Sequence, residues 1–415
     1  MDFEAKDRAC GIGPDSGNAA RSAHPSVTSP TGSFRGSRPV LFSAEAEGKP
    51  PWKTRKNRTH MNAAKRQNKA RIERLNAEKQ LPHEDWATLL ATWDDADSEY
   101  AAEIARSLAV ARFGHNVFVR GIVEFSNVCR NDCLYCGIRK SNLKAERYRL
   151  TEAEIVECCD AGYLYGFRTF VLQSGEDATY SPERLADLVR MLKSKHPDCA
   201  VTLSVGELDR ADYQRLFDAG ADRYLLRHET ANPEHYARLH MPGQSRTRRM
   251  QCLRDLKEIG FQTGCGFMVG SPYQTPETLA KDMEFITKFR PAMIGIGPFI
   301  PHCDTPFASE PAGSVGLTLF LLSLCRILQP EVLLPATTAL GTLDPVGREK
   351  GILAGANVIM PNLSPEQVRA KYMLYNNKTA VDVGTHITRS DLQARLQRIG
   401  YSIKVGRGDY GETPC

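Results

Sequence analysis

No stretch of the 415-residue chain approaches the ~20 consecutive apolar residues of a membrane span. No secretory hydrophobic core follows Met1. An excess of charge of one sign is missing too: 54 Lys and Arg against 49 Asp and Glu leave a formal net charge of +5. That is too little, for this length, to imply nucleic-acid binding. Neither nucleic acid nor a membrane is an expected partner. What remains is ordinary for a soluble globular protein, with 41% hydrophobic and 25% charged residues. The length suits one large domain with appendages. Twelve cysteines would suit an oxidising compartment in a small secreted protein, but this is a large chain without a secretory segment. A reducing, oxygen-poor cytoplasm is expected.

Residues 1–60 are rich in Gly, Ser, Pro, Ala and Arg without apolar period, and read as a disordered leader. Asp2, Glu4, Asp7, Asp15, Glu45 and Glu47 make it too acidic for a good organellar transit peptide. Met61 is the candidate start. Residues 61–113 show helical spacing and are expected to form a layer closing the bottom of the main domain. From Val119 onward short β-branched runs alternate with amphipathic stretches. The strands expected are 119–125, 169–173, 200–205, 223–226, 263–269, 294–299, 332–335 and 357–360. Glycines such as Gly220, Gly260 and Gly355 end the helices between them. Eight such repeats predict an α/β fold, a (β/α)8 TIM-type barrel over 114–377 with an N-terminal helical layer, and a tail at 378–415. In such barrels function gathers at the C-terminal ends of the strands.

One loop leaves the first strand at that end: Cys129-Arg-Asn-Asp-Cys133-Leu-Tyr-Cys136-Gly137. Thiolates select iron–sulfur clusters, zinc or Cu(I). A [4Fe-4S] cubane needs four ligands, and the loop supplies three with no fourth cysteine nearby. One iron would stay open for the amino and carboxylate groups of a small molecule. The alternative is zinc completed by a distant residue such as His115, although a second paired half of a zinc site is missing.

Other strand ends add polar groups. Gln173-Ser174-Gly175-Glu176-Asp177 is a small-Gly-acid turn suited to an ammonium group. Ser204 and Glu207 end the third strand, and Arg227-His228-Glu229-Thr230 follow the fourth. Glu229 is a candidate for an ammonium or ribose hydroxyl. Among Arg246, Arg248 and Arg249 one guanidinium suits a carboxylate, and at least one should be a solvated face. His302 reads as a hydrogen-bonded loop histidine. Thr337 and Thr338 begin a helix that suggests an anion site. Tyr372 and Tyr375 sit beyond strand eight, on a short helix able to fold over the mouth.

The loop resembles that of the radical S-adenosylmethionine (SAM) enzymes, with Tyr135 where that superfamily favours an aromatic. From roughly Ala63 to Asn377 the chain resembles the HydE-type maturases of [FeFe]-hydrogenase. The resemblance is carried by the stretches 124–137, 171–177, 223–233, 296–301 and 335–341. Biotin synthase and methylornithine synthase match less well. The resemblance implies that Cys129, Cys133 and Cys136 hold a [4Fe-4S] cluster and that Ser174, Ser204, Glu229 and Arg249 contact S-adenosyl-L-methionine. Tyr135 and Gly175 join that cofactor set. Thr337, Thr338, Arg227, Arg348 and Tyr375 would line a substrate cavity. The implied activity is reductive SAM cleavage to a 5′-deoxyadenosyl radical that acts on a small iron carbonyl–cyanide–cysteine precursor. The implied partners are the sister hydrogenase maturases, a radical SAM tyrosine lyase and a GTPase scaffold. Rival readings are an amino-acid mutase of the methylornithine synthase or biotin synthase type, and a zinc scaffold without catalysis. Two departures stand out. The tail has only Cys415, so no second cluster is expected, and Cys303 replaces a proline usual in the family.

Overall fold

The computed structural model describes residues 67–378 and 389–411; the expected leader, Met61 and Cys415 lie outside them. Three helices come first, Asn68–Glu78, His83–Thr92 and Asp95–Phe113. Asp94 caps the third by accepting the Asp97 amide while Asp97 reaches back to the Asp94 amide. Its small face, Ala101, Ala105 and Ala109, is buried and packs against helix Val315–Leu328. Trp93 stacks on Phe320 of that helix, ring centroids 5.1 Å apart. Helix His83–Thr92 packs against helix Pro276–Phe289. The layer expected beneath the barrel therefore lies against its flank.

Six parallel strands form the main sheet: β2 (Gly121–Ser126), β3 (Thr169–Ser174), β4 (Ala200–Ser204), β5 (Arg223–Leu225), β6 (Gln262–Cys265) and β8 (Met293–Ile294). Closure comes from single bridges and from a short pairing of Phe118 and Val119 with Val358 and Ile359. Met293 pairs with Leu333, Pro335 with Val358, and Asn362 with Ile122 of β2. The ring thus returns to its first strand, and the fold is the TIM-type barrel that the alternation predicts.

Several expected strands are broken, and each break has a steric cause or a change of partner. The first splits at Arg120: β1 (Asn116–Val119) pairs with β10 (Val358–Ile359), whereas β2 pairs with β3. The fifth splits at Gly266, whose φ of +157° and Cβ position 2.0 Å from the Gly295 carbonyl oxygen admit only glycine. It leaves β6 and β7 (Met268–Val269), and the sixth leaves β8 and β9 (Gly297–Pro298). Residues 332–335 make bridges rather than a strand.

The floor is closed by residues set apart as a tail. β11 (Ser402–Lys404) pairs in parallel with β1. Beyond it the wholly buried Arg223 guanidinium donates to Thr169 Oγ1 (3.0 Å), the Arg407 carbonyl (2.8 Å) and Asp409. Asp409 also accepts from Arg407 Nε (2.6 Å) and Gln262 (2.8 Å). Burial alone would raise the Asp409 carboxyl, but Arg407, Arg223 and Gln262 hold it down at about 2.

The folded pKa lies below the unfolded value of ~3.9, so the stabilisation is complete above that pH and is lost as pH falls through about 2. Asp409→Ala strands the Arg223 charge in the floor and should cost roughly 3 kcal/mol at neutral pH. Thermal melts of the two proteins at neutral and acid pH check this. The gap should narrow as the medium is acidified, and a gap constant with pH would contradict it.

Candidate active site

The cysteine loop is built by hydrogen bonds that do not involve the thiols. Arg147 donates to the carbonyls of Asn127 (2.6 Å), Ile138 (2.8 Å), Arg139 (2.6 Å) and Asn142 (3.0 Å). Buried Asn127 donates to the carbonyls of Glu146 (2.8 Å) and Lys371 (2.7 Å) and accepts from the Tyr148 amide (2.8 Å). Inside the loop Arg139 donates to Asp132 at 2.7 Å and draws that carboxyl down to about 2. Neighbouring backbone closes in on two glycines. A Cβ on Gly137 would lie 2.1 Å from the Met373 carbonyl oxygen and 2.3 Å from His302 Cδ2; one on Gly175 would lie 2.3 Å from the Val128 carbonyl oxygen.

The three thiols face a common space at the mouth. Cys129 Sγ accepts the Glu176 amide at 3.4 Å and Cys133 Sγ accepts the Gln244 side-chain amide at 3.2 Å. Burial pushes all three above the ordinary thiol value, Cys133 to about 11 against the pull of Gln244 and Arg249. At Cys136 the charges of Cys133 and Cys129 add to burial. Such thiols keep their protons until a cationic centre takes them as thiolates.

Their spacing bears on which centre fits. His302, Cys303 and Asp304 also bring ligand-type atoms within 4.8 Å of one another. Three thiolates without a fourth cysteine nearby leave one iron of a cubane without a protein ligand. A multi-iron cluster, with each thiolate on its own iron, fits the donor set. The zinc alternative also loses its fourth ligand. His115 precedes β1 at the floor end, edge-on to Tyr401 with centroids 5.2 Å apart. The 302–304 trio is occupied otherwise: His302 Nδ1 accepts the Asp304 amide (3.1 Å) and Asp304 pairs with Lys144 (2.7 Å). His302 is thus the hydrogen-bonded loop histidine expected, and the structure gives no reason for Cys303.

Most residues expected to contact the cofactor surround the thiols. Tyr135 lies edge-on to His240, centroids 5.6 Å apart. Burial raises its phenol, then the Cys133 and Glu229 charges. Ser174 ends β3 with its hydroxyl on the Gly175 carbonyl (2.7 Å). Ser204 ends β4 opposite Gln173. Arg249 turns inward, donating to Glu207 and to the Arg227 carbonyl (2.7 Å). Arg248 turns outward to the Leu208 carbonyl (2.7 Å) and Asp209, the solvated member expected of that group. Glu229 is buried with φ +62°, and its Oε2 has no hydrogen-bond partner. Arg227 Nη2 stands 3.4 Å away, an ion-pair distance without hydrogen-bond alignment. Beside Cys129 a cavity of about 320 Å³ is lined by Arg130, Ser174, Gly175, Glu176, Glu207 and Arg248, among others.

Deeper in the barrel the expected substrate residues meet. Tyr375 hydrogen-bonds Thr342 and feels the charges of Glu124, Arg348 and Arg227; burial raises its phenol most. Arg348 donates to Thr338 Oγ1 at 3.4 Å. Thr337 Oγ1 is buried without a hydrogen-bond partner, beside Gly297, where a Cβ would lie 2.6 Å from it. The helix these threonines begin, Thr338–Leu343, has six residues, so its backbone offers no developed dipole and the anion site expected there falls to side chains. Tyr372 and Tyr375 come after helix Glu366–Arg369 rather than lying on it. Their segment folds back, with Gly137 donating to the Leu374 carbonyl (2.9 Å). Sequence reasoning missed the buried Glu124, which pairs with Lys378 and accepts from Asn362 (2.9 Å). It also missed Arg147, Gln244 and Thr342. Glu124 alone carried a signal, being an acid inside a core strand.

Comparison with known proteins agrees with this geometry. The profile of the radical SAM superfamily matches residues 123–286. The [FeFe] hydrogenase maturase subunit HydE of Thermotoga maritima is 48% identical over 289 residues, 70% of this chain and 81% of that one. The 3-methylornithine synthase of Methanosarcina acetivorans is 30% identical over 282 residues, 68% of this chain and 79% of that one. Among solved structures, methylornithine synthase (PylB) superposes with a TM-score of 0.68 at 25% identity, covering 80% of this chain and 97% of that one. The maturase HydG of Carboxydothermus hydrogenoformans gives 0.67 at 18%, covering 83% and 82%. At that identity it speaks for the fold alone.

Gly137→Ala forces the loop away from Met373 and His302. Iron affinity should fall by ~10–100-fold, as when groups supporting metal ligands are removed. Iron content after anaerobic reconstitution and gel filtration measures it, and content equal to the parent protein's would refute the crowding.

Proposed function

The chain belongs to the HydE family of radical SAM maturases, and from that premise we propose that it cleaves S-adenosylmethionine reductively and acts on an iron carbonyl–cyanide–cysteine precursor during assembly of the [FeFe]-hydrogenase H-cluster. The observation that carries the proposal is one loop with three half-buried thiols at C-x3-C-x2-C spacing, at the mouth of a barrel whose interior is lined by cations. Cys129, Cys133 and Cys136 would hold a [4Fe-4S] cluster. When bound, the cluster supplies the electron that breaks the sulfonium C–S bond and yields the 5′-deoxyadenosyl radical.

The chain's own residues bind and orient. Glu229 offers a buried carboxylate oxygen without a hydrogen-bond partner, suited to the SAM ammonium or ribose hydroxyls. Arg249, directed inward by Glu207, suits its carboxylate. Ser174, Gly175, Ser204 and Tyr135 shape the rest of that site. Below it Arg227, Arg348 and Lys378 set three cations against Glu124. Two donors of Arg227, Nε and Nη2, lack hydrogen-bond partners. A small anionic iron complex matches that excess, and neutral Tyr375 and Thr337 add hydroxyls for its cyanide or carboxylate groups. A radical SAM tyrosine lyase would supply the precursor and a GTPase scaffold would receive the product. The likeness to PylB over 97% of its length favours an amino-acid mutase as the second reading.

Cys133→Ala should abolish both the brown chromophore of the reconstituted protein and SAM cleavage; cleavage at the parent rate would sink the cluster assignment. Glu229→Gln should weaken SAM binding by about tenfold with the iron content intact, the loss of one hydrogen bond to a charged group. Restored hydrogenase activity in a strain lacking its own HydE would support the maturase reading. Failure there, with 3-methylornithine formed from a supplied amino acid, would favour the mutase.

A further inference from the structure

Glu229 holds a backbone conformation that a side-chain-bearing residue adopts only when its surroundings impose it. Its φ is +62°, one of few positive values outside glycine among the described residues. The surroundings that impose it converge on one buried carboxylate. The Glu229 amide donates to the Gly266 carbonyl (3.0 Å), and the Gly266 amide donates to His228 Nδ1 (3.2 Å). With Nδ1 accepting, a neutral His228 carries its proton on Nε2. That atom stands 3.3 Å from Asp282 Oδ1, an ion-pair distance without hydrogen-bond alignment, and both side chains are fully buried. The same oxygen accepts the Ala231 amide. Asp282 therefore grips the chain on both sides of Glu229 and Thr230.

The gripping groups cannot shift independently. Gly266 is confined by the Gly295 carbonyl. Asp282 sits within helix Pro276–Phe289, between buried Ala280 and Met283. The His228 ring is packed by Phe285, centroids 4.7 Å apart, and Phe267, 5.7 Å. With His228 fixed against the outer helix, Glu229 is turned to the mouth, where its charge reaches Tyr135 and Cys136.

We infer that Asp282, acting through His228, is the positioning residue that holds the Glu229 carboxylate in place for S-adenosylmethionine. The inference rests on the reading of Glu229 as a SAM ligand, and the test separates the two. SAM dissociation constants are measured anaerobically on the full-length, cluster-loaded protein by equilibrium dialysis, beside iron content. The variants are Glu229→Gln, Asp282→Ala, Asp282→Asn and the double variants. Asp282→Ala should raise the dissociation constant about tenfold with iron content unchanged. Asp282→Asn, whose amide oxygen still accepts from Ala231 and stays beside His228, should raise it less. In the Glu229→Gln background neither should add anything, since residues acting in series are not additive. An Asp282→Ala constant equal to the parent's, or full additivity with Glu229→Gln, overturns the inference. Should Asp282→Ala not fold, the same cycle with Asp282→Asn decides by the same criterion. Weakened binding in Glu229→Gln with unaffected Asp282 variants leaves the ligand reading standing and removes only the positioning role. An unchanged constant in Glu229→Gln removes both.

Discussion

A loop meant to give three thiolates to a metal cannot depend on those thiols for its own shape. Here the shape comes from the Arg147 guanidinium, which satisfies four backbone carbonyls across the loop. A carbonyl left buried and unbonded costs about 1–3 kcal/mol, so the loop stays formed whether its thiols carry protons or metal. Burial that raises the thiols couples loading to proton release. Site geometry and site occupancy are thus separate events, and much else at the mouth is arranged on the first.

Two tiers of charge lie below that loop. The upper one mixes signs, with Glu207 paired to Arg249 and Glu229 beside the thiols, as the proposed zwitterionic ligand requires. The lower one is weighted to cations, with Glu124 tied to Lys378. Glu229 lies where the two meet, near both Arg227 and the thiols. A change of charge at that residue therefore acts on both tiers.

The barrel was legible because its repeats announce themselves through β-branched runs and terminal glycines. The cysteine loop was legible because three thiols at that spacing have few other uses. The features that escaped did so for physical reasons. Breaks at Arg120 and Gly266 depend on a partner strand and on the Gly295 carbonyl, both far along the chain. Asp282 looks like any acid in an amphipathic helix, and only its burial against His228 sets it apart. Arg147 and Gln244 act through backbone and thiol contacts that leave no periodic trace. The helical layer was recognised as helical but placed wrongly, because spacing reports which face is buried and not against what. Ser402–Lys404 are only half-buried, so their strand lacks the apolar run by which the others were found.

The floor adds a temporal constraint. Arg120 meets the Gly408 carbonyl across 288 positions, and contacts so distant along the chain are slow to form. In a newly made molecule the cysteine loop can form around Arg147 from neighbours close in sequence while the floor still stands open to water. Insertion of the proposed cluster and completion of the barrel then become a race, and a chain loaded early would complete its folding around a bound inorganic core.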